Sequence, residues 1–289
     1  MKATYIDHMG TDLSVVNAAR VSFGKTSEMV AVHTHSGEEI PLSEFTYGNN
    51  EDAIVLSGYT KQLSKADQGL LGFLARGCTS GDWDNLHYRL TECMDYNEND
   101  GPHFDAVDEV EDLLNHIRKM PPHWTPFAHT AITLHLKMPI FVARQIMKHT
   151  AGFVYNEVSR RYVDDSPEFF VPDTMRLRAD NVKQGSSNEE VTPPIGEHYG
   201  LNMFHEMAHY GTLCYEGLLS TGCSPEQARM VLPQSMYTEV IATANLYAWA
   251  NLFIQRTDSH AQKETQDLAK QIGEIIEQLF PVSWKELVK

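Results

Sequence analysis

The sequence predicts a mixed α/β protein. Residues 65–76 and 246–256 carry apolar side chains at helical spacing, and a residue that can cap a helix precedes each segment. Residues 130–138 instead alternate apolar and polar side chains, which is typical of a strand buried on one face. Helical and alternating segments therefore occur in the same chain.

The composition is that of an acidic protein with enough apolar material for a core. The 289 residues include 39 acidic and 23 basic side chains, which give a net charge of −16, and 42% are hydrophobic. This charge argues against a nucleic-acid partner, so an anionic ligand must meet a local cluster of Arg and Lys. No internal repeat or second composition class divides the chain, and we predict a single domain over residues 1–289.

Segments that would target the chain to a membrane or out of the cell are missing. No stretch reaches the roughly 18 uninterrupted apolar residues of a membrane span. The first residues have no apolar core of a secretion signal. The four cysteines form no CxxC pair and are expected to be reduced and mostly buried. We therefore predict a cytoplasmic protein with no membrane partner.

Two helices are predicted in the N-terminal part of the chain. Thr11 to Ser22 and Lys65 to Arg76 have helical spacing, and Ser64 is a candidate N-cap of the second helix. Nine acidic residues and no Lys or Arg lie between Glu92 and Asp112, which predicts a solvated insertion near 81–120. A metal-binding acidic loop is the alternative, but the regular spacing of a calcium loop is missing.

A strand followed directly by a helix is predicted between Thr130 and Thr150. Pro139 ends the strand, helical spacing runs from Ile140 to Thr150, and Gly152 is a candidate stop. Four polar side chains crowd onto adjoining edges of this short helix. They are Arg144, Gln145, Lys148 and His149. So many polar groups are unusual for a helix that only packs in a core.

A group of polar residues follows this helix within six positions. It consists of Asn156, Glu157, Ser159, Arg160 and Arg161. Guanidinium groups bind phosphate through paired hydrogen bonds, and a carboxylate can orient them. The pattern fits an anion-binding loop, and a surface cluster of ion pairs fits it as well.

A long loop and a short helix are predicted next. Residues 176–200 are rich in Pro, Gly, Ser and Asn, which predicts a loop that forms a second insertion. Ser224 and Pro225 then supply an N-cap and a first helical residue, so Arg229 should lie on a short helix that ends at Pro233.

The C-terminal part of the chain predicts a strand and two helices. Tyr237 to Ala244 reads as a strand, and Asn245 as the cap of a helix from Leu246 to Arg256. Ser259 and Gln262 form a capping box for the last helix. The buried stripe of that helix should be Leu268, Ile272, Ile275, Ile276 and Leu279.

Residues 205–209 match the HExxH pattern of zinc proteases. His205 and His209 would face the same way on a helix, and Glu206 could polarise a zinc-bound water. A hydrolase also needs a third ligand, for which only Glu226 and Glu239 are suitably placed downstream. The alternative is a chance match with two partly exposed helix histidines. We predict no metal.

Other familiar catalytic motifs are absent from the sequence. No GxGxxG or GxxxxGK[ST] occurs, so a Rossmann or P-loop phosphate site is not predicted. No GxSxG elbow occurs, and no cysteine stands in a known nucleophile motif.

Three blocks of the sequence resemble the flavin-dependent thymidylate synthases. The longest runs from His123 to Val163, the second from Ala228 to Glu264, and the third from Val15 to Lys25. They follow one another in the order that the family has. Three ordered blocks are far more specific than HExxH, whose pattern has only three fixed positions.

The resemblance implies a fold, an assembly and a reaction. The fold would be an antiparallel sheet flanked by helices, and the protein a homotetramer with active sites at subunit interfaces. The reaction would be the methylation of dUMP to dTMP. Methylenetetrahydrofolate would donate the carbon, FAD would carry the hydride, and NADPH would reduce the FAD.

The resemblance also implies site residues, position by position. FAD contacts would fall on Ser22, His123, Thr125, His149, Glu157, Asn245 and Asn251, with Lys148, Thr150 and Tyr247 at further cofactor-binding positions. Nucleotide contacts would fall on Gln145, Lys148, Glu157, Ser159, Arg160, Arg161, Arg229 and Arg256. Arg256 matches the family's essential arginine, against the pyrimidine. A guanidinium there could stabilise the anion that develops on the imide when no cysteine adds to the ring.

Some positions depart from the family's pattern. Lys148, His149 and Thr150 stand where Arg-His-Arg is usual, and Tyr247 stands where an arginine is common. Lys cannot reproduce the planar fork of Arg, while Tyr247 could stack on a flat ring. With the two insertions, these changes resemble a diverged branch such as that of bacteriophages, whose enzyme would act in the host cytoplasm.

Alternative functions therefore stand beside the flavin-dependent synthase. They are a related enzyme that hydroxymethylates dUMP, a zinc hydrolase that uses residues 205–209, and a non-catalytic interaction module.

Overall fold

The computed structural model describes residues 1–46, 51–77, 84–88, 111–112, 114–115, 120, 122–163, 165–178, 186–191 and 195–289. The strands are β1 (Lys2–Met9), β2 (Val30–His33), β3 (Glu39–Pro41), β4 (Tyr59–Gln62), β5 (Ala131–Pro139), β6 (Phe153–Glu157), β7 (Arg176–Arg178), β8 (Ser186–Glu190) and β9 (Tyr237–Ala244). The main helices are α1 (Asp12–Arg20), α2 (Glu51–Leu56), α3 (Lys65–Arg76), α4 (Ile140–Ile146), α5 (Ile195–Ser220), α6 (Pro225–Ala228), α7 (Leu246–Thr257), α8 (Lys263–Leu279) and α9 (Pro281–Leu287). The predicted mixed α/β class is confirmed.

One compact unit, here called the sheet unit, comprises residues 1–9 and 131–278. Its four strands pair antiparallel in the order β1-β5-β9-β6. The apolar residues predicted to share one face of β5 are fully buried: Ile132, Leu134, Leu136 and Met138. The indole of Trp249 on α7 donates to the carbonyl of Ile132 at 3.1 Å, so this helix packs on the buried face.

The other compact unit, here called the second unit, comprises residues 10–130 and 279–289. It contains a three-stranded sheet in the order β3-β2-β4 and the helices α1, α2, α3 and α9. Asp12, buried at the start of α1, accepts backbone N–H groups of Val282 and Ser283 at 2.9 Å each. Val282 and Ser283 lie in the first turn of α9, where backbone N–H groups have no acceptor within the helix, and the carboxylate of Asp12 supplies one.

Several predicted elements are confirmed because local signals specify them. Ser64 accepts from the backbone N–H of Asp67 at 3.1 Å, and α3 has the predicted bounds. Asn245 accepts from the N–H of Ala248 at 2.9 Å as the cap of α7. The strand β9 also has its predicted bounds.

The helix predicted from Ile140 to Thr150 is too long and ends at Ile146. The carbonyl of Ile146 accepts from the N–H of His149 at 3.1 Å and from the hydroxyl of Tyr155 at 3.3 Å. The chain therefore turns, and Lys148 and Thr150 lie in this turn rather than on the helix. Gly152 has a φ of 78°, and a Cβ there would meet the side chains of Asn245 and Ala248 at 3.0 Å. Only glycine fits that approach.

The long loop predicted over 176–200 is also wrong. β7 and β8 pair antiparallel within it, and α5 begins at Ile195. The polar composition of this segment does not predict strands. Two short strands can nevertheless pair through their backbones without a run of apolar residues.

The helix predicted to begin at Ser259 starts later in the structure, and α9 follows it as the last helix. The carbonyl of Asp258 accepts from Ala261 at 2.9 Å, which closes a separate turn. The carbonyl of Gln262 accepts from the N–H groups of Thr265 and Gln266, so α8 begins at Lys263. Its predicted core positions Leu268, Ile272 and Ile276 are fully buried.

The predictions about membrane segments, cysteines and the acidic run can be compared with the described residues. Among the described residues, none of the helices combines the length and apolar character needed to cross a membrane. Cys214 and Cys223 are free thiols, and Cys214 is exposed, so the prediction of burial is wrong for it. Cys78, Cys93 and the acidic run, apart from residues 111–112, lie outside the described residues.

Candidate functional site

A pocket of 420 Å³ in the sheet unit, here called the arginine pocket, contains five of the predicted nucleotide contacts. They are Glu157, Ser159, Arg160, Arg161 and Arg229. The pairing of β6 with β9 continues to Val158, whose N–H donates to the carbonyl of Glu239 at 2.9 Å. Thr238 donates to the carboxylate of Glu157 at 2.8 Å. The sheet thus fixes the segment that carries the arginines.

The three arginines of this pocket differ in their partners. Arg160 forms an ion pair with Asp165 at 3.0 Å, as the alternative of an ion-pair cluster predicts, although the side chain of Arg160 is only 13% exposed. Arg161 donates to the hydroxyl of Ser159 at 3.3 Å, and Arg229 donates to the carbonyl of Glu226 at 3.3 Å. Within the described part of the chain, neither Arg161 nor Arg229 has a carboxylate partner. Their positive charges can therefore serve an anion.

A second cluster in the sheet unit, here called the Arg256 cluster, joins Arg256 to His149 and Gln145. Arg256 lies in the last turn of α7 and donates through Nε to His149 Nε2 at 2.9 Å. Its Nη2 donates to the carbonyl of Gln145, also at 2.9 Å. Because a guanidinium only donates, His149 Nε2 must be unprotonated, and the proton of neutral His149 lies on Nδ1. Burial, followed by the charge of Arg256, lowers the pKa of His149.

The residues around the Arg256 cluster hold it in place. Gln145 Nε2 donates to Gln262 at 2.7 Å, and Gln145 Oε1 accepts from Thr265 at 3.2 Å. The hydroxyl of Tyr155 donates to the carbonyl of His149 at 2.8 Å. The sequence does not predict Tyr155, Gln262 and Thr265 as site residues. Gln262 belongs to the capping-box pattern with Ser259, which indicates a helix start and not a contact with Gln145.

The Arg256 cluster and the arginine pocket share no described residue. None of the three residues of the Arg256 cluster is among the described residues that line the arginine pocket. The prediction that Arg256 and Arg161 meet around one pyrimidine in an assembled oligomer stays a prediction.

The other predicted cofactor contacts of the sheet unit lie around the turn after α4 and along α7. Lys148 and Thr150 are exposed in the turn, whereas Tyr247 and Asn251 are half-buried on α7. The side-chain oxygen of Asn245 caps α7, which gives this residue a structural role as well.

A pocket of 780 Å³ in the second unit contains the remaining predicted FAD contacts, Ser22, His123 and Thr125. Its walls include the small residues Ala18, Ala19, Ala66 and Gly69. The imidazole of His123 stacks on Phe73, with ring centroids 5.5 Å apart and an angle of 26° between the planes. The pocket therefore has the room and the apolar surface that a flat ring requires, and the residues present fit a flavin.

The HExxH pattern lies on α5, as predicted. His205, Glu206 and His209 are exposed. Over the ranges that the structure describes, no group of three or more His, Cys, Asp or Glu side chains could hold a metal ion. The zinc hypothesis therefore lacks its third ligand among these residues.

The antiparallel sheet with flanking helices and a basic pocket defines a class of mixed α/β proteins able to bind an anionic ligand. Within this class, residues 4–282 match the profile of the family described as "Thymidylate synthase complementing protein". The chain belongs to this family, which is that of the flavin-dependent thymidylate synthases, and the resemblance predicted from the three blocks is confirmed. The hypothesis of a non-catalytic module is set aside, because the family consists of enzymes.

Individual relatives agree with this assignment. The flavin-dependent thymidylate synthase of Thermosipho africanus is 36% identical over 167 residues, which cover 58% of this chain and 72% of the relative. That of Pseudothermotoga lettingae is 31% identical over 187 residues, which cover 64% and 79%. In fold, the chain is similar to the UMP/dUMP methylase PolB from Streptomyces cacaoi, whose structure was solved with 5-Br dUMP. The TM-score is 0.61 at 23% identity, covering 99% of this chain and 93% of that one.

Proposed function

We propose that this enzyme methylates dUMP to dTMP. Methylenetetrahydrofolate would donate the carbon, FAD would carry the hydride, and NADPH would be the reductant. The observation that carries the proposal is the arginine pocket. Arg161, which donates to the hydroxyl of Ser159, and Arg229 line this pocket without a described carboxylate partner, in a chain whose net charge is −16. Such a local cluster is what an anionic nucleotide requires in an acidic protein.

Roles within the nucleotide site follow from these contacts. Arg161, Arg229 and Ser159 would bind the phosphate, and Arg160, already paired with Asp165, would hold the segment in place. Glu157, oriented by Thr238, would accept an N–H of the nucleotide. Gln145 and Lys148 would complete the site together with Arg256.

Arg256 would be the catalytic residue, placed against the pyrimidine. His149 and the carbonyl of Gln145 use only part of its N–H donors, so the others remain for the imide oxygen of the ring. A fixed guanidinium stabilises the negative charge that develops there.

FAD would contact the positions that the resemblance implies. They are Ser22, His123, Thr125, Lys148, His149, Thr150, Glu157, Asn245, Tyr247 and Asn251. When bound, FAD supplies the hydride for the reaction. The protein residues would orient its rings and exclude water from them.

The active enzyme would be a homotetramer with sites at subunit interfaces. Tyr162 and Met230, which flank the arginines, are 78% and 77% exposed in the single chain. Large apolar side chains beside a charged pocket are a surface that a second subunit would cover. The expected observation is a tetramer by light scattering of the purified protein.

The proposed function is tested by a spectrum and an assay. The purified protein should be yellow and should form dTMP from dUMP, methylenetetrahydrofolate and NADPH. Arg256→Ala should lower dTMP formation by at least about a hundredfold and leave FAD bound, because the arginine acts on the developing charge. Arg144→Ala, which changes an exposed arginine on α4, is the matched control and should keep full activity.

The outcomes separate the alternatives. A protein without FAD affinity and without dTMP formation would contradict the proposal. A product heavier than dTMP by one oxygen would identify the hydroxymethylating enzyme instead, a possibility raised by Lys148 and Thr150 at the positions of the usual arginines.

A further inference from the structure

The pocket of 780 Å³ in the second unit, here called the Ser22 pocket, has an arginine in its wall. Among the described residues that line it, Arg20 is the only Lys or Arg, and no Asp or Glu is present. The other walls include small and apolar residues of α1 and α3, together with the hydroxyl groups of Ser22 and Thr125. A ligand in this pocket therefore meets a positive charge beside a mostly apolar surface.

The carboxylate of Asp67 holds this arginine. Its Oδ1 accepts from Arg20 Nε at 2.8 Å and also from Arg20 Nη2. Asp67 lies on α3, is 3% exposed and is not among the described residues that line the Ser22 pocket. The side chain of Arg20, in contrast, is 25% exposed. A ligand in the pocket would thus contact the guanidinium and not the carboxylate.

The remaining partners of Asp67 are hydroxyl groups. Ser27 donates to Oδ1 and Ser64 donates to Oδ2, each at 2.9 Å. Ser27 is itself fixed to α1, because its N–H donates to the side-chain oxygen of Asn17 at 2.6 Å. The carboxylate is therefore well supplied with donors, and the orientation of Arg20 is fixed before a ligand arrives. A side chain that is already ordered loses less conformational entropy when it binds.

The guanidinium of Arg20 keeps donors for a ligand. Asp67 uses Nε and one N–H of Nη2, and Nη1 has no hydrogen-bond partner in the ranges that the structure describes. Guanidinium groups bind phosphate oxygens through paired N–H groups of this kind. FAD has a negatively charged pyrophosphate between two flat ring systems, and this combination fits a cation beside an apolar wall.

We propose that Arg20, held by Asp67, binds the pyrophosphate of FAD in the Ser22 pocket. The flat ring next to the pyrophosphate would lie on the apolar wall that includes Leu70 and Phe73. Arg20 is not among the FAD contacts that the resemblance implies, so the inference adds a residue to that set. It rests on the proposed function, because it takes FAD as the cofactor.

The test measures FAD affinity by titration calorimetry on the full chain, from which the flavin has been removed by dialysis against concentrated bromide. FAD is titrated at about 0.05 M and at about 0.5 M NaCl, because salt weakens contacts between charges. Arg20→Gln removes the positive charge. The double variant Arg20→Gln/Asp67→Asn also neutralises Asp67, so that no buried charge is left unpaired. Arg76→Gln is the matched control, because Arg76 pairs with Glu286 in the same unit and is not among the described lining residues.

At the lower salt concentration, the wild type and Arg76→Gln should bind FAD equally well. Both variants at Arg20 should bind it at least about tenfold more weakly, since a charged contact with phosphate is lost. At the higher salt concentration this difference should shrink to less than about threefold, because screening weakens a contact that only the wild type makes. A change that merely loosens the pocket would weaken FAD binding by the same factor at both salt concentrations.

Two results would overturn the inference while leaving the proposed function intact. The first is a double variant that binds FAD as tightly as the wild type, which would mean that only the unpaired Asp67 disturbed the single variant. The second is a weakening that is the same at both salt concentrations. A wild type that binds no FAD would instead contradict the proposed function and, with it, the inference.

Discussion

The hydrogen bond between Arg256 and His149 determines the protonation state of the histidine. The bond requires an unprotonated Nε2, and burial and the neighbouring guanidinium both lower the pKa of this side chain. A histidine whose pKa is lower in the folded state makes the unfolded state bind more protons as the pH falls. Above about pH 6.5, the pKa of an unperturbed histidine, the lowered pKa of His149 does not change the free energy of unfolding. As the pH falls below this value towards the lowered pKa, the free energy of unfolding decreases.

The pH dependence of stability should therefore change when His149 is replaced. The wild type is expected to lose more free energy of unfolding between about pH 7.5 and about pH 5 than His149→Gln, which cannot be protonated. Urea unfolding at both pH values measures this difference. His205→Gln, at an exposed histidine on α5, should keep the wild-type slope. Equal slopes for the wild type and His149→Gln would contradict this reasoning.

The hydroxyl of Tyr155 holds the turn that carries Lys148, His149 and Thr150. Tyr155→Phe keeps the ring stacked on Phe153 but leaves the carbonyl of His149 without this donor. We expect a loss of about 0.5–1.5 kcal/mol in the free energy of unfolding, measured by denaturant. Tyr210→Phe, at an exposed tyrosine on α5, should have almost no effect on stability. An equal loss in both variants would show that the turn does not depend on Tyr155.

At the scale of elements, the side chain of Asp12 joins the start of α1 to the start of α9. Its carboxylate accepts both Val282 and Ser283 N–H groups at the start of α9, although the residues are about 270 positions apart. Local sequence around α9 does not contain this cap. The C-terminal helix should therefore be more sensitive to residue 12 than to its own surface positions.

Asp12→Ala should destabilise the protein by about 1–3 kcal/mol, because the buried N–H of Ser283 and the part-buried N–H of Val282 lose their acceptor. Thermal unfolding followed by circular dichroism measures the change. Glu277→Ala, at an exposed acidic residue on α8, is the control and should differ little from the wild type. A variant as stable as the control would mean that water replaces the carboxylate at this cap.

At the scale of the whole molecule, the proposed catalytic arginine and the arginine pocket form separate clusters in one chain. If subunit interfaces bring them together, two inactive variants should complement each other. Arg256→Ala and Arg161→Ala would each be inactive, but unfolding and refolding them together should restore about a quarter of the sites, those that combine intact clusters from two subunits. dTMP formation by the mixture measures this.

A mixture as inactive as its parents would show that each site takes both arginines from the same subunit. The control is a mixture of Arg256→Ala with itself after the same refolding, which should remain inactive. Light scattering of each variant before mixing verifies that loss of activity does not reflect loss of assembly.

The sequence by itself determined the elements whose signals are local. The alternation of β5, the caps Ser64 and Asn245 and the bounds of β9 all follow from side-chain periodicity and hydrogen bonding within a few residues. The three family blocks likewise identified the enzyme class from continuous segments. The weakly amphipathic hairpin of β7 and β8 and the exposed edge strand β1 carried no such signal and were missed.

Only the tertiary structure decided which polar residues meet. Arg256 lies 107 positions from His149, and the same fold ends α4 early so that this histidine can turn towards it. The two adjacent arginines also differ in their partners: Arg160 pairs with Asp165, whereas Arg161 donates to Ser159 and has no carboxylate partner among the described residues. Hydrogen bonds between distant segments depend on how strands and helices pack, and the periodicity of a single segment contains no information about its partner.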